Sequence, residues 1–566
     1  MSRRRYVIAG DGPAGLALAV LLAGRGEEVE LYGEPSRAAG VGIVLDEEAI
    51  ALLAQVDEDC AEEILAACQS WKTVHLRIAD DLITSGGHHI RGIGRDSLVA
   101  ALTRRAAARG VRLRRQRWHE RGQERDRDLV VGADGAGSAV RQASAADFGT
   151  TVTSGATRYL WMRAQARLDP GFSFVSTEHG AFVAHVYPYS GRYSALVVEA
   201  RPECLASAGL LRADRPATER ALRRIFSDHL ELDGLRAVTF PWQSFRTVCN
   251  RRWHAGNRVL IGDAAHTAHF SVGSGTRLAI EDAVVLAAEL EACPDVATAV
   301  LRFEERQRPV VAELQDDGRS SEMWFADMDR HMRLPPKQLA FALRTRREVN
   351  GYSWLRQRDP AFVASLDRAL TGDSRRLPAR GPYAGAATEP RLLPLRLGSL
   401  VIPRRKVVLA DGAGPADYAD AGLVLGGPRL PAADGLPAGL IVPAPGPLPD
   451  LDGAARGAVL LTGRWPGLRA ALTELRRCAP AAGAGVLLDP RDLAQADVPR
   501  LAGLADFVAV PAGNRGQRVE RTALAERLRN EFGLTVLLWT HALDSDEANT
   551  LIAAARTDGY VIARKG

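Results

Sequence analysis

Apolar residues come in short runs along the first 300 positions, and the stretches between them carry helical periodicity. Tyr6-Val7-Ile8-Ala9 and Glu28–Tyr32 read as buried strands joined by an alanine/leucine helix that reaches Leu22. Asp128-Leu129-Val130-Val131 and Arg258-Val259-Leu260-Ile261 read as two more strands of the same kind. Leu98 and Leu102 are four residues apart, so they share one face of a helix opening at Gly94-Arg95. Strands alternating with helices predict a parallel, doubly wound sheet. Between about 151 and 250 the period shortens to two: Phe182-Val183-Ala184-His185-Val186-Tyr187 and Tyr193-Ser194-Ala195-Leu196-Val197-Val198 have the alternation of half-buried strands. Helical patterning covers 301–370, including Arg302-Phe303-Glu304-Glu305-Arg306, and 371–388 is a linker rich in Gly, Pro, Ala and Arg. Beyond it, short apolar runs near 407, 422, 439, 457, 485, 507, 535 and 559 leave eight further strands open.

Composition narrows the class. The 566 residues leave room for two or three domains. Their 73 basic and 68 acidic residues, net +5, are too balanced to point to nucleic acid or a membrane. Only four of the basic residues are lysine (Lys72, Lys337, Lys406 and Lys565), which makes arginine richness a habit of the chain and lowers the weight of any single Arg cluster. Cys60, Cys68, Cys204, Cys249, Cys293 and Cys478 have no zinc or CxxC spacing. They read as reduced thiols, which together with the absence of an apolar leader predicts a cytoplasmic protein with no metal and no membrane span.

Three glycine-and-acid turns carry the chemistry. Gly10-Asp11-Gly12-Pro13-Ala14-Gly15 sits between the first strand and its helix, the setting that GxGxxG needs. Gly10 allows the tight turn, Gly12 lets backbone approach a pyrophosphate at the helix N-terminus, and Gly15 lets helix pack on strand. The acid expected at the end of the second strand, for ribose hydroxyls, falls on Gly33, with Glu34 next to it. In the second turn Asp134-Gly135 follows a strand, and Arg95 is either a flavin contact or a solvated helix-end arginine. The third runs from Gly262 and Asp263 through His266, His269, Phe270 and Ser271 to Gly273, Ser274 and Gly275, which open another helix. That helix N-terminus would favour an anionic reduced flavin.

Thr84-Ser85-Gly86-Gly87-His88 leading to Gly92-Ile93-Gly94-Arg95, Gly262 through Gly275, and Ser321-Glu322-Met323-Trp324-Phe325 resemble the FAD-dependent anthraniloyl-CoA monooxygenase and salicylyl-CoA 5-hydroxylase group. That group belongs to the para-hydroxybenzoate hydroxylase superfamily, most of which has two prolines where His269-Phe270-Ser271 stands. A tryptophan-derivative hydroxylase of violacein biosynthesis is similar in the same segments. Gly33 departs from the pattern, and so does Arg277, where the thioester enzymes usually have lysine.

The resemblance implies an α/β fold: a Rossmann-like FAD-binding domain (about 1–150 and 251–300) with an inserted mixed β-sheet substrate domain (about 151–250) and a helical segment at 301–370. It implies aromatic hydroxylation by FAD, NAD(P)H and O2 through a C4a-hydroperoxyflavin. The substrate would be an aryl thioester of CoA or an acyl carrier protein, with a free or indole-type ring as the alternative and a non-catalytic flavin-fold scaffold as the contrasting class. Gly10, Gly12, Pro13, Ala14, Gly15, Glu34, Arg95, Asp134, Gly262, Asp263, Gly273, Ser274 and Gly275 would hold FAD. His269, with Phe270 and Ser271, would orient the ring or take its proton, unless His269 is bonded to its own loop; His266 is expected to be structural. Arg158, Trp161, His185 and Tyr187 would face the substrate. Glu389-Pro390-Arg391-Leu392-Leu393-Pro394 and Ala548-Asn549-Thr550 resemble an Old Yellow Enzyme barrel, so 389–566 is expected to be a reduced (β/α)8-like barrel that holds no FMN. The sequence leaves a homodimer open.

Overall fold

The computed structural model describes residues 3–34, 42–119, 127–347 and 349–372 without a break, and beyond them the strands and helices of the C-terminal part with short adjoining stretches. The expected linker at 371–388 lies outside the described residues apart from its first two, as do 389 and 391–394 of the segment that resembles an Old Yellow Enzyme barrel. The chain forms two compact units, 1–329 and 330–566. The division comes some forty residues before the boundary expected at 370: the helices Pro336–Arg344, Tyr352–Arg358 and Pro360–Gly372 group with the C-terminal strands. Helical periodicity fixes which face of a helix is apolar but not which core it covers.

The first unit is built on a six-stranded sheet. Arg5–Ala9 lies at its centre, pairing in parallel with Glu28–Tyr32 on one side and Leu129–Gly132 on the other. Arg112–Arg114 and Arg258–Leu260 extend the two sides in parallel. The central strands are buried on both faces, hence their unbroken apolar runs. Chain order reverses across Arg5–Ala9, which places the crevice of a doubly wound sheet at its carboxyl end, above Gly10. The helices Pro13–Gly24 and Gly275–Ala292 pack on this sheet and share its core.

A seven-stranded sheet forms the second layer, in the order Arg236–Ala237, Arg158–Ala164, Ser194–Ala200, Gly180–Pro188, Gly171–Thr177, Val74–Ile78, Asp81–Ser85. Its last two strands come from the region expected in the nucleotide-binding part, so the substrate-side sheet draws on more than 151–250. Leu160, Met162, Phe182, Ala184, Val186, Leu196 and Val198 face a separate core closed by Leu222 and Phe226. Because cross-strand partners share a face, the opposite face is fixed as well: Tyr159 pairs with Glu199, Trp161 with Val197, and His185 with both Val197 and Phe172.

In the second unit each of the eight apolar runs is a strand, from Lys406–Leu409 to Gly559–Ile562. They pair in parallel in chain order, and the eighth closes onto the first. Among the described residues no helix is long and apolar enough to cross a membrane, and no cluster of His, Cys, Asp and Glu could hold a metal.

The glycine turn gives the first test. A Cβ on Gly15 would lie 2.0 Å from the backbone oxygen of Gly10, an atom that cannot swing aside. Gly15→Ala is expected to lower the unfolding free energy by about 1–3 kcal/mol. Gly191→Ala, which meets nothing within 4 Å, should leave it unchanged in the same denaturant titration.

Candidate active site

A cleft of about 1000 Å³ runs from the glycine turn of the first sheet to the face of the second that lies opposite its core. At its nucleotide end Gly10 has φ +118°, and a side chain there would collide with Ala133 O at 2.1 Å. The turn can therefore approach the loop after Leu129–Gly132 only as glycine. Pro13 begins the helix, whose free N–H groups face the cleft. The Arg95 guanidinium lies over Gly12, 3.5 Å from where a Cβ would be. Asp134 takes the Ala139 N–H on Oδ2 at 2.6 Å, while its Oδ1 is buried with no partner among the described residues. Backbone that only glycine allows, a helix N-terminus and an unsatisfied carboxylate oxygen in one cleft fit a dinucleotide with hydroxyls to donate.

Asp263 follows the Arg258–Leu260 strand and opens onto the cleft. Its side chain is exposed in the open cleft, but the surrounding walls enclose it, and that desolvation raises its carboxyl pKa; His266 and Arg95 pull it down and Asp282 pushes it up. His266 does not line the cleft, and the partner of its side chain is not the expected one, its own loop. Its Nε2 sits 2.7 Å from Asp282 Oδ2, which also accepts the Gly262 N–H at 2.7 Å. Asp282 is fully buried inside the Gly275–Ala292 helix and ties Gly262 to that helix. Gly273 has φ +72°, and Gly273, Gly275 and Thr276 line the cleft where the helix begins.

The far wall is aromatic. Phe270 stands at its centre, with ring centroids 4.9 Å from Tyr159, 6.2 Å from Trp161 and 5.6 Å from His185. Tyr187 also lines the cleft and donates its hydroxyl to Gly42 O at 2.8 Å; burial raises its pKa. Trp161 Nε1 is buried with no partner among the described residues.

Three of the residues expected to be catalytic or to face the substrate sit elsewhere. Arg158 is bonded to Ser244 and does not line the cleft; it lies on the face of its strand shared with Leu160 and Met162. Three residues from Trp161, it has the opposite parity in a strand. His269 and Ser271 lie behind Phe270 and do not line the cleft. His269 Nδ1 is 2.7 Å from Ser271 Oγ, which is 2.7 Å from Ser321 Oγ, so His269 braces the short turn Phe270–Val272. Arg277 pairs with Glu48 and lies 3.6 Å from Asp46.

Sequence reasoning missed Glu199. It is 1% exposed, accepts from Thr157 Oγ1 at 2.5 Å and lies 3.4 Å from His185 Nε2. Burial alone would raise its pKa, yet His185, His269 and Thr157 outweigh burial and hold the carboxyl below its ordinary value of 4.5. A lone acid in the apolar run Leu196-Val197-Val198 was the available signal. The five described cysteines are free, and burial pushes the Cys60, Cys68 and Cys204 thiols up to about 11.

A family model described as the FAD binding domain matches residues 5–316. The chain belongs to this FAD-binding family. It is 33% identical over 421 residues to a salicyloyl-CoA 5-hydroxylase of Streptomyces sp, covering 71% of this chain and 78% of that one. To a 3-hydroxy-4-methyl-anthranilyl-[aryl-carrier protein] 5-monooxygenase of Streptosporangium sibiricum it is 36% identical over 330 residues, covering 57% and 89%. A protodeoxyviolaceinate monooxygenase of Chromobacterium violaceum is 30% identical over 288 residues, covering 50% and 76%. Tetrameric 2-methyl-3-hydroxypyridine-5-carboxylic acid oxygenase shares the fold at TM-score 0.50 and 21% identity, over 61% of this chain and 98% of its own. The flavoprotein is thus an FAD-dependent aromatic monooxygenase, and its glycine turn, Asp134 and Asp263 all lie within the matched residues.

Glu199 makes the stability of this flavoprotein depend on pH. A carboxyl held below its unfolded value contributes stability that is complete above that value and is lost as pH falls through the folded pKa. Glu199→Gln should cost on the order of 2 kcal/mol at pH 7. Melting curves of the two proteins should stay separated down to about pH 5 and converge below the ordinary value of 4.5; a gap that persists unchanged at pH 3 would contradict the assignment.

Proposed function

We propose that the protein hydroxylates an aromatic ring presented as a thioester of CoA or an acyl carrier protein, with NAD(P)H as reductant and O2 as oxidant. The observation that carries this reading is the continuity of the cleft, from Gly10 and Asp263 at one end to Phe270, Trp161 and His185 at the other. The relatives named for salicyloyl-CoA and for an aryl-carrier-protein substrate support the thioester.

Gly10, Gly12, Arg95, Asp134 and Asp263 are the residues that would hold FAD, which when bound supplies the reduction and the activation of O2. Phe270 packs tilted against Tyr159 and edge-on to Trp161, and the wall they form would exclude water from the substrate ring. The unpartnered Trp161 Nε1–H gives a donor for a polar substituent of the ring. His185 takes the proton of a ring hydroxyl or amino group as electron density moves into the ring, and Glu199, 3.4 Å from its Nε2, orients the imidazole. His269 keeps Phe270 in place.

We read the C-terminal unit as a shortened Old Yellow Enzyme-like barrel with a structural or assembly role and no FMN. Its closed ring of eight parallel strands supports that reading.

Oxidised protein titrated with aryl-CoA, aryl carrier protein and the free acid, with NAD(P)H consumption followed, is expected to accelerate only with a thioester. Equal acceleration by the free acid would rule the thioester out. His185→Gln should retain FAD while coupled hydroxylation falls by roughly 10²–10⁴-fold; product formation at the wild-type rate would remove His185 from the reaction.

A further inference from the structure

The Gly33 departure leaves the nucleotide site one acid short, and the structure has that space filled. A Cβ built on Gly33 would lie 2.1 Å from Asp11 Cγ, 2.4 Å from Asp11 Cβ and 2.4 Å from Asp11 Oδ2. The Asp11 side chain therefore occupies the volume that a side chain at position 33 would fill. Two backbone hydrogen bonds fix the arrangement: Gly10 N–H donates to Tyr32 O at 2.7 Å, and Gly33 N–H donates to Arg114 O at 3.0 Å. Asp11 is half-buried and lines the cleft, with Arg95 and Glu34 as its charged neighbours. Glu34 is exposed at the cleft edge.

We infer that Asp11 has exchanged places with the acid missing at Gly33, so that the carboxylate gripping the adenosine ribose hydroxyls of FAD comes from the glycine turn and not from the second strand. The inference rests on the FAD reading and adds a residue to it. The geometry couples the two positions. Any side chain at 33 demands a smaller residue at 11, because Asp11 Cβ is tied to the backbone and cannot rotate away. Conversely, Asp11 can lie over the strand end only because Gly33 leaves it open. Enclosure raises the Asp11 carboxyl pKa; its own backbone N–H and Arg95 lower it, and Glu34 adds to the rise.

The test is FAD affinity of the full-length protein, measured by quenching of flavin fluorescence on titrating apoprotein. Asp11→Asn and Asp11→Gly should each weaken FAD binding roughly ten-fold or more, the scale of a hydrogen bond to a charged group. Gly33→Glu alone should also weaken it, through the collision with Asp11. The double variant Asp11→Gly with Gly33→Glu should recover to within about three-fold of wild type, a coupling expected only of residues that share one space and one role. An FAD analogue lacking the 2′ and 3′ hydroxyls of the adenosine ribose should bind wild type as weakly as Asp11→Asn binds FAD, with no further loss on Asp11→Asn. FAD affinity unchanged in Asp11→Asn would overturn the inference, as would equal losses for FAD and the analogue, or loss on Glu34→Gln in place of Asp11→Asn. Wild-type apoprotein that takes up no FAD would instead sink the cofactor reading itself.

Discussion

The close approach of two backbones at the centre of the first sheet sets everything else. Gly10 comes so near Ala133 that a single carbon added there would fall 2.1 Å from its oxygen, and Gly15 is equally close to Gly10. Neither contact can relax by rotating a side chain, so the first strand, its helix and the loop after Leu129–Gly132 have one relative position. That position opens the crevice where chain order reverses, and it brings Asp11, Arg95, Asp134 and Asp263 to its rim from four separate segments. Helix N-termini and carboxylates gathered this way suit a ligand with phosphates in the middle and hydroxyls on either side.

Strand register does for the second half of the cleft what the glycines do for the first. In Ser194–Ala200 alternate residues serve opposite faces: Leu196 and Val198 enter the core with Phe226, whereas Val197 and Glu199 turn to the cleft side. Shifting the strand by one residue would bury Glu199 in the apolar core and take it away from His185 and Thr157, so the chemistry of the wall and the stability of the sheet depend on the same pairing. A carboxylate 1% exposed is tolerated because a hydroxyl and two imidazoles face it, which is also what holds its pKa down.

How much of this the sequence made legible depends on the kind of constraint involved. Gly10, Gly15 and Gly273 were legible because their sites admit almost no other residue. Trp161, His185 and Tyr187 were legible because residues two apart in a strand share a face. The same alternation excludes Arg158 from the wall, since Arg158 and Trp161 differ by an odd number; that signal was present and outweighed by chemical appeal. His269 is different in kind. Its direction is set by the short turn Phe270–Val272 and by a hydroxyl fifty residues away on Ser321, and no local pattern encodes either. Val74–Ile78 and Asp81–Ser85 join the second sheet through a parallel pairing with Gly171–Thr177. A long-range partner of that sort leaves no trace in a strand's own residues. The grouping of 330–372 with the C-terminal strands was hidden for the same reason.

The loop from Asp263 to Gly275 joins the two halves of the cleft, and its anchoring explains why Phe270 can act as a fixed wall. At its start His266 is held by Asp282, the carboxylate that also fixes Gly262. One residue on, Thr267 Oγ1 accepts from Val248 N–H at 2.8 Å and donates to Arg246 O at 2.7 Å, and its carbonyl accepts from Gln315 Nε2 at 2.9 Å. Then the His269, Ser271 and Ser321 chain braces the turn from behind. These anchors come from the Gly275–Ala292 helix, the Arg246–Asn250 strand and the Val296–Ala326 helix, so no single element can carry the loop away. Phe270 is thereby held against Tyr159, Trp161 and His185 while Asp263, seven residues earlier, faces the nucleotide end. A short, multiply tethered segment of this kind fixes the distance between a cofactor and a ring far better than two independent walls would, and that distance is what positional control of an aromatic reaction requires.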